Sequence, residues 1–216
     1  TDSDKKEGFV VQKYADTMEI FKTIPATVML IDLNSGVTLY ELDSYERNFP
    51  ASLTKIMTAL LTIEMQPDLD AVVTVTKEGL KGQEPGGSSV GLKVDEQMSV
   101  RDLLYCLMVK SGNDSASVLA VHNAGSIEAF VELMNQKAEK MGLINTHFEN
   151  PTGLFHENHK TTSREIASIM AYAMNMKLCR KILLTQSFNA PCVGADGHKF
   201  PYTLYHNLIV TKFEEL

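Results

Sequence analysis

The chain has 216 residues, of which 44% are hydrophobic and 22% charged, a balance typical of globular proteins that bury a sizeable core. Its formal net charge of −7 argues against nucleic-acid binding, because phosphate recognition needs a basic patch and no cluster of lysines and arginines occurs. No apolar run approaches the roughly 18 residues of a membrane span, so no transmembrane segment is predicted.

The first part of the chain predicts a lead-in followed by a hairpin. Residues 1–25 are polar and then mildly amphipathic, which indicates a short helix around Tyr14–Phe21. Two β-rich runs follow, Thr27–Ile31 and Val37–Glu41, and they flank the turn residues Asn34-Ser35-Gly36. Alternating β-formers on either side of such a turn predict an antiparallel hairpin.

A mostly apolar helix is predicted from Pro50 to about Met65. Proline suits a first helical position, because its φ is already helical and its missing N–H has no intrahelical partner to lose. Apolar residues then recur at the spacing of one buried helical stripe: Leu53, Ile56, Met57, Leu60 and Leu61. Ser52 and Lys55 lie off that stripe, one turn apart, so the opposite face should present a hydroxyl beside an amine.

A short strand at Val72–Thr76 and a block of further helices are predicted downstream. Three N-terminal caps are recognisable: Ser99 with Asp102, Ser126, and Thr162 with Glu165. The first of these helices is interrupted at Ser111-Gly112-Asn113, and another runs from Asp114 to about His122. A break between two apolar helices aims polar side chains at a fixed point.

The C-terminal part has the weakest pattern. Leu183–Phe188 and Tyr202–Val210 are interpreted as strands or connecting arms, and Pro191 and Pro201 should limit their regular pairing. No linker-like composition shift is present. The chain as a whole therefore predicts one α-rich unit resting on a sheet.

Cysteines and histidines give no sign of a metal or cofactor. Cys106, Cys179 and Cys192 show neither metal-ligand spacing nor a disulfide framework, and Cys106 lies in an apolar helix as an expected core residue. His156 and His159 lie in a polar loop without an acidic or cysteine partner at ligand spacing. We therefore expect no metal and no cofactor.

Ser52 and Lys55 have the chemistry of a nucleophile and its base. A serine hydroxyl is a weak nucleophile until a base takes its proton, and a lysine can be that base where burial lowers its pKa. The helix N-terminus adds free N–H groups where an oxyanion could develop. Because serine and lysine often fall three residues apart on exposed helix surfaces, the spacing S-x-x-K alone favours a solvated pair.

Other stretches change that balance, because four of them occur together in one order: Pro50–Ala59, Ser111–Asp114, Val131–Ala138 and Asn145–Leu154. Together they resemble the low-molecular-mass penicillin-binding proteins, and more narrowly the serine-type D-alanyl-D-alanine carboxypeptidases. The resemblance covers roughly residues 26–210. It implies an α/β (α+β) fold of the penicillin-binding-protein and β-lactamase type, with a helical block packed on an antiparallel sheet. Residues 1–25 would precede a transpeptidase-like catalytic domain at 26–216.

The resemblance also implies roles for single residues. Ser52 would be the acyl-enzyme nucleophile, Lys55 its general base and Ser111 a proton shuttle to the leaving group, while Asn113 would hold the substrate's peptide amide. The implied substrate is a peptidoglycan stem peptide ending in D-Ala-D-Ala, and β-lactam antibiotics would bind the same site. Neither metal nor nucleic acid is implied, and the location would be extracytoplasmic, either secreted or on the outer face of the cytoplasmic membrane.

One motif of the resemblance is missing, because no K-T-G triad occurs in the 216 residues. In the family this motif lies on a strand, which in this numbering would come after Leu216. Asn207–Val210 resembles the segment that leads into that strand. The motif binds the substrate's terminal carboxylate and gives a second oxyanion-hole N–H. We therefore expect an incomplete site in this chain. The implied sheet has five strands and the hairpin supplies two, so the others should come from another segment, from a strand-swapped second copy, or not at all.

Two further readings of these motifs stay open. A β-lactamase shares S-x-x-K and the serine–asparagine motif, although the Asn145–Phe148 and Met134–Ala138 flanks favour the carboxypeptidase. A non-catalytic fragment that binds peptidoglycan or penicillin is motivated by the absent K-T-G.

Overall fold

The computed structural model describes residues 27–82 and 87–206. Its strands are β1 (Val28–Ile31), β2 (Thr38–Leu42), β3 (Val72–Thr74), β4 (Gln97–Ser99), β5 (Ser187–Val193) and β6 (Lys199–Tyr205). Its α-helices are α1 (Thr54–Met65), α2 (Val100–Val109), α3 (Asn113–Ala124), α4 (Ile127–Lys140), α5 (Ser163–Asn175) and α6 (Lys177–Leu183), with 3-10 turns at Ala51–Leu53 and Glu78–Leu80. The helix expected around Tyr14–Phe21 and the stretch Asn207–Val210 lie outside the described residues.

The described strands form two antiparallel sheets on which the helices pack. β1 pairs with β2, in a register that sets Val28 opposite Leu42, which confirms the predicted hairpin. The second sheet has the order β3-β4-β5-β6, and α2 packs against β4, β5 and β6. β1 packs instead on α5. Among the described residues, the two sheets together do not make the five-stranded sheet of the implied fold.

The C-terminal strands differ from the sequence-based expectation. Leu183 ends α6, and the long ladder of β5 with β6 places Pro191 directly opposite Pro201 without interrupting the register. The expectation that these prolines would limit pairing was wrong. In the described sheet β6 pairs with β5 alone, and β4 reaches β5 only at Val193. No ladder hydrogen bond is therefore lost at Pro191 or Pro201, the two residues that lack an N–H.

Helix α1 is the centre of the helical block, because it packs against α2, α3, α4 and α5. Every residue from Thr54 to Thr62 is buried, so the expectation of one buried stripe with an open opposite face was wrong. Leu53, assigned to the stripe, is 51% exposed because it lies in the 3-10 turn before α1. Ser52, which lies just before the N-terminus of this helix, is therefore followed one turn later by the buried side chain of Lys55.

Local capping signals were mostly confirmed. The Ser99 hydroxyl accepts from the Asp102 N–H at 3.0 Å, and the Thr162 hydroxyl accepts from the Glu165 N–H at 3.1 Å. Ser126 caps α4 in the same way. The Glu165 carboxylate, however, does not complete a reciprocal box, because it accepts from the loop residue Asn145 instead. A tertiary contact has thus replaced the expected local one.

Candidate active site

Ser52 lies in an exposed, tightly wound turn at the entrance of α1. The first hydrogen bond of this turn runs from the Leu53 N–H to the Pro50 carbonyl at 3.2 Å. The Ser52 N–H precedes it at the helix N-terminus, and no described residue accepts a hydrogen bond from it. Ala51 has φ +48°, a left-handed conformation that costs a residue with a side chain roughly 1–2 kcal/mol. Pro50 precedes the turn. The prediction that it is the first residue of the α-helix was therefore wrong.

The Lys55 ammonium lies inside the protein and points back at the serine. Its Nζ donates to Ser52 Oγ at 3.2 Å and to the Thr152 carbonyl at 2.7 Å, and the residue is 2% exposed. Burial lowers the pKa of Lys55 to about 8, while the negative charge of Asp114 partly opposes that shift. With that pKa, about one lysine in ten is neutral at pH 7 and able to accept a proton from the serine.

The loop from Asn150 to Leu154 holds the Lys55 ammonium against the serine turn. The Asn150 side-chain oxygen accepts from the backbone N–H groups of Thr152 and Gly153, at 3.2 and 2.7 Å, and thereby shapes the loop. Gly153 has φ +85°, and a Cβ there would stand 1.8 Å from the Ala51 carbonyl oxygen. Only glycine fits this approach, which presses the loop onto the residue before Ser52.

Ser111 and Asn113 lie at the break between α2 and α3, as predicted. Ser111 has φ +60°, the conformation that ends many helices, although glycine is the usual residue there. Asn113 is 5% exposed, and its N–H donates to the Ser88 carbonyl at 2.8 Å. Among the described residues, none is hydrogen-bonded to the Asn113 side-chain amide.

Asp114 anchors the loop that covers this break. The carboxylate is 2% exposed and accepts from the Ser89 hydroxyl at 2.6 Å and from the next three backbone N–H groups of the loop, at 2.8 to 3.1 Å. On the other side of the same loop, the Ser88 hydroxyl donates to the Lys110 carbonyl at 2.7 Å. The loop is therefore fixed to both sides of the α2–α3 break.

Comparison with known proteins identifies the family of this chain. The peptidase S11 family, described as D-alanyl-D-alanine carboxypeptidase, matches residues 15–211 of the chain. The chain belongs to this family. The carboxypeptidase DacF of Bacillus subtilis (strain 168) is 40% identical over 149 residues, which are 67% of the chain and 37% of that relative. The D-alanyl-D-alanine carboxypeptidase of Streptomyces sp. (strain K15) is 34% identical over 173 residues, 76% of the chain and 59% of that relative.

Solved structures show the same fold. The crystal structure of the Streptomyces K15 DD-transpeptidase has a TM-score of 0.79 and 29% identity, over 89% of this chain and 78% of that one. The D-alanyl-D-alanine carboxypeptidase DacD from Francisella tularensis has a TM-score of 0.70 and 30% identity, over 77% of this chain and 41% of that one. The expected family and fold class are thus confirmed. The chain spans about 37% of the length of the Bacillus relative.

In this member of the carboxypeptidase family, the four site residues predicted from sequence fall into two groups. Ser52 and Lys55 are in hydrogen-bond contact, and the electrostatic effect of Asp114 on Lys55 links that pair to the start of α3, where Asn113 lies. Within the described ranges, no hydrogen bond joins Ser111 or Asn113 to Ser52 or Lys55.

Sequence reasoning missed three supports of the site. The Thr152 carbonyl and the close approach of Gly153 belong to the stretch Asn145–Gly153, whose composition predicts a turn-rich loop but not what that loop contacts. Asp114 was treated as the first residue of a helix. None of these three residues has a local pattern that reveals its distant partner.

His159, the third support, is a core residue below the serine turn. It is 2% exposed, and burial lowers its pKa to about 4, so it is neutral. The Glu149 N–H donates to its Nδ1 at 3.3 Å, so Nε2 carries the proton and donates to Thr54 Oγ1 at 2.9 Å. His156 instead faces the Glu149 carboxylate, at 3.5 Å. No group of three or more potential metal ligands occurs in the part of the chain that the structure describes.

Proposed function

We propose that Ser52 is the nucleophile of a D-alanyl-D-alanine carboxypeptidase that acts on peptidoglycan stem peptides and is acylated by penicillins. One observation carries the proposal: the buried Lys55 Nζ lies 3.2 Å from Ser52 Oγ, with its pKa lowered to about 8. An ammonium that burial makes easy to deprotonate, in contact with an exposed serine, is the arrangement that nucleophilic catalysis needs.

The reaction would proceed in two steps through an ester. Neutral Lys55 takes the proton of Ser52 as its Oγ attacks the carbonyl before the terminal D-alanine. The free N–H at the helix N-terminus stabilises the oxyanion, and Ser111 passes a proton to the departing amine. Water then attacks the ester, with Lys55 again as base, and releases the shortened peptide. The Asn113 amide, which no described residue occupies, would hold the substrate's peptide bond.

The activity and partners of the whole protein are part of the same proposal. The proposal includes D-alanyl-D-alanine carboxypeptidase activity and binding of β-lactams. Because the stem peptide lies outside the cytoplasm, it also includes an extracytoplasmic location, secreted or at the outer face of the membrane. No described helix has the length and apolarity needed to cross a membrane. The K-T-G motif, whose residues would hold the substrate's carboxylate, is not among these 216 residues.

Labelling with a fluorescent penicillin tests the proposal. We expect a stable covalent label on the wild-type chain, located on Ser52 by peptide mass spectrometry, and its loss in Ser52→Ala. Ser168→Ala, which removes an exposed hydroxyl on α5, is the matched control and should be labelled normally. Rapid release of hydrolysed drug would identify a β-lactamase instead. No label on the wild-type chain would refute acylation at Ser52 and favour a non-catalytic binding role.

We also propose that β1 pairs with a strand of a second copy. Within the described residues β1 pairs with β2 alone, and Leu30 and Leu33 of the hairpin are 52% and 45% exposed beside an apolar cavity of about 530 Å³. Unpaired strand edges readily recruit strands of other molecules. Light scattering after size exclusion should show a dimer, and a monomer at all concentrations would overturn this part.

A further inference from the structure

Tyr202 of β6 is hydrogen-bonded to the segment that precedes β4. Its hydroxyl lies 2.8 Å from Glu96 Oε2 and 3.1 Å from the Gly91 carbonyl oxygen, so its one proton is shared between two acceptors. Burial raises the pKa of Tyr202, and the hydrogen bond to Glu96 raises it further, so the hydroxyl stays protonated and acts as a donor. One side chain thereby ties both ends of residues 91–96 to the second sheet.

Glu96 lies in a tight turn whose shape depends on its carboxylate. The residue is 4% exposed, and its Oε2 also accepts from the Lys93 N–H at 2.9 Å. The turn includes Asp95 at φ +69°, and Asp95 and Glu96 share two backbone hydrogen bonds with Val75. A buried carboxylate needs donors, and without the Tyr202 hydroxyl the side chain of Glu96 would keep only the Lys93 N–H among the described residues.

The peptide group between Gly91 and Leu92 is held from both sides. Its carbonyl oxygen accepts from Tyr202, and its N–H, which belongs to Leu92, donates to Asp114 Oδ2 at 3.0 Å. Asp114 is the anchor of the loop that covers the α2–α3 break, and we call residues 88–96 the covering loop. Tyr202 and Asp114 therefore fix the same peptide group of this loop, one from β6 and the other from α3.

The covering loop lies directly against the segment that carries Ser111 and Asn113. A Cβ on Gly112, between these two residues, would lie 2.9 Å from Val90 Cγ2, so the Val90 side chain is packed on the Gly112 backbone. The Asn113 N–H donates to the Ser88 carbonyl of the same loop. A displacement of the covering loop therefore also displaces the two residues that the proposed mechanism uses as proton shuttle and amide-binding group.

We propose that Tyr202 is a positioning residue of the active site, which holds the covering loop so that Ser111 and Asn113 keep the arrangement that acylation requires. The inference rests on the proposed function, because it assigns Tyr202 to the same reaction. Tyr202 does not act on the substrate itself; it acts through the Gly91–Leu92 peptide group and Asp114. A misplacement of about 1 Å can cost on the order of a hundredfold in rate, so a smaller shift is enough for a loss of several-fold.

The rate of acylation by a fluorescent penicillin tests this role. Tyr202→Phe removes only the hydroxyl and keeps the ring beside Phe200, whose centroid is 5.4 Å away. We expect the second-order rate constant of labelling to fall roughly five- to tenfold, while the final amount of label per chain stays the same. General destabilisation would instead lower the final amount, because fewer molecules would be folded. Tyr205→Phe, at an exposed position of the same strand, is the matched control and should be labelled at the wild-type rate.

Amide hydrogen exchange follows the covering loop without requiring catalysis. The N–H groups of Leu92 and Asn113 are donors that join this loop to the start of α3. In Tyr202→Phe we expect both to exchange roughly tenfold faster, the factor that corresponds to the loss of about one hydrogen bond, whereas the amides of α5 should keep their rates. Tyr205→Phe should leave all of these rates unchanged.

The outcomes separate this inference from the proposed function. Labelling of Tyr202→Phe at the wild-type rate, an equal fall in Tyr205→Phe, a lower final amount of label, or unchanged exchange at Leu92 and Asn113 would each overturn the positioning role. An equal rise of exchange in α5 would show general destabilisation and would overturn it as well. No label on the wild-type chain would refute acylation at Ser52 instead, and exchange at Leu92 and Asn113 would still decide whether Tyr202 holds the covering loop.

Discussion

Replacement of Lys55 by methionine gives the sharpest test of the proposed base. Lys55 is 2% exposed, and burial lowers its pKa from 10.5 to about 8. Between these two values the unfolded chain binds more protons than the folded one, so the free energy of unfolding should rise with pH in that window. Lys55→Met removes the titrating group while keeping the length of the side chain.

The size of the effect follows from the shift. Lowering the pKa of Lys55 from 10.5 to about 8 changes the free energy of unfolding by about 3 kcal/mol between pH values well below and well above both pKa values. Over the range from about pH 7 to about pH 9.5, the wild-type chain should gain about 2 kcal/mol relative to Lys55→Met. Subtracting one variant from the other cancels the titration of every group that the two chains share.

Urea unfolding, followed by circular dichroism across this pH range, measures the difference. Lys177→Met, which removes a lysine at an exposed position of α6, is the control, and its curve should run parallel to that of the wild-type chain. A wild-type curve that stays parallel to that of Lys55→Met, or that falls relative to it as pH rises, would show that Lys55 is not held in a desolvated site. The general-base role would then lose its physical basis.

Three further changes test the supports of the site. Gly153→Ala should lower the free energy of unfolding by about 3 kcal/mol or more, because the new Cβ would lie 1.8 Å from a carbonyl oxygen, and urea titration measures this. His159 has its pKa lowered to about 4 by burial, so stability should fall by up to about 3 kcal/mol as the pH drops from about 6.5 to about 4, in a loss that His159→Gln does not share. Asp114→Asn removes the charge that raises the pKa of Lys55, so the midpoint of penicillin labelling against pH should move to lower pH.

Each of these changes has its own control or contrary result. Gly142→Ala, at φ +73° with open space around the new Cβ, should cost only roughly 1–2 kcal/mol, and an equal cost at Gly153 would contradict the steric argument. An acid transition that persists unchanged in His159→Gln would mean that another group causes it. An Asp114→Asn labelling midpoint that stays in place or rises would show that this carboxylate does not act on the base.

Sequence periodicity and capping chemistry were sufficient for the local elements. The hairpin before the serine, the cap at Ser99 and the break at Ser111 all depend on residues within a few positions of one another, and the structure has them where they were predicted. The failures are of another kind. Pro191 and Pro201 were expected to disturb pairing, but which N–H groups a ladder needs depends on the neighbouring strands.

Ser52 and Lys55 show the same division at the site. Their spacing on one helical turn follows from the sequence alone, and it is enough to place a hydroxyl within reach of an amine. Whether that amine can act as a base depends on burial, and burial of Lys55 comes from helices and loops far away in the chain. The Thr152 carbonyl that accepts its second hydrogen bond is 97 residues distant.

The sequence by itself therefore determined the reactive groups, the order of the elements and the family. Only the tertiary structure decided the state of those groups: the dry surroundings that lower the pKa of Lys55, the glycine that lets a loop press on Ala51, and the anchor at Asp114. The physical reason is that spacing along a helix fixes which side chains are adjacent, whereas desolvation and long-range charge depend on everything packed around them.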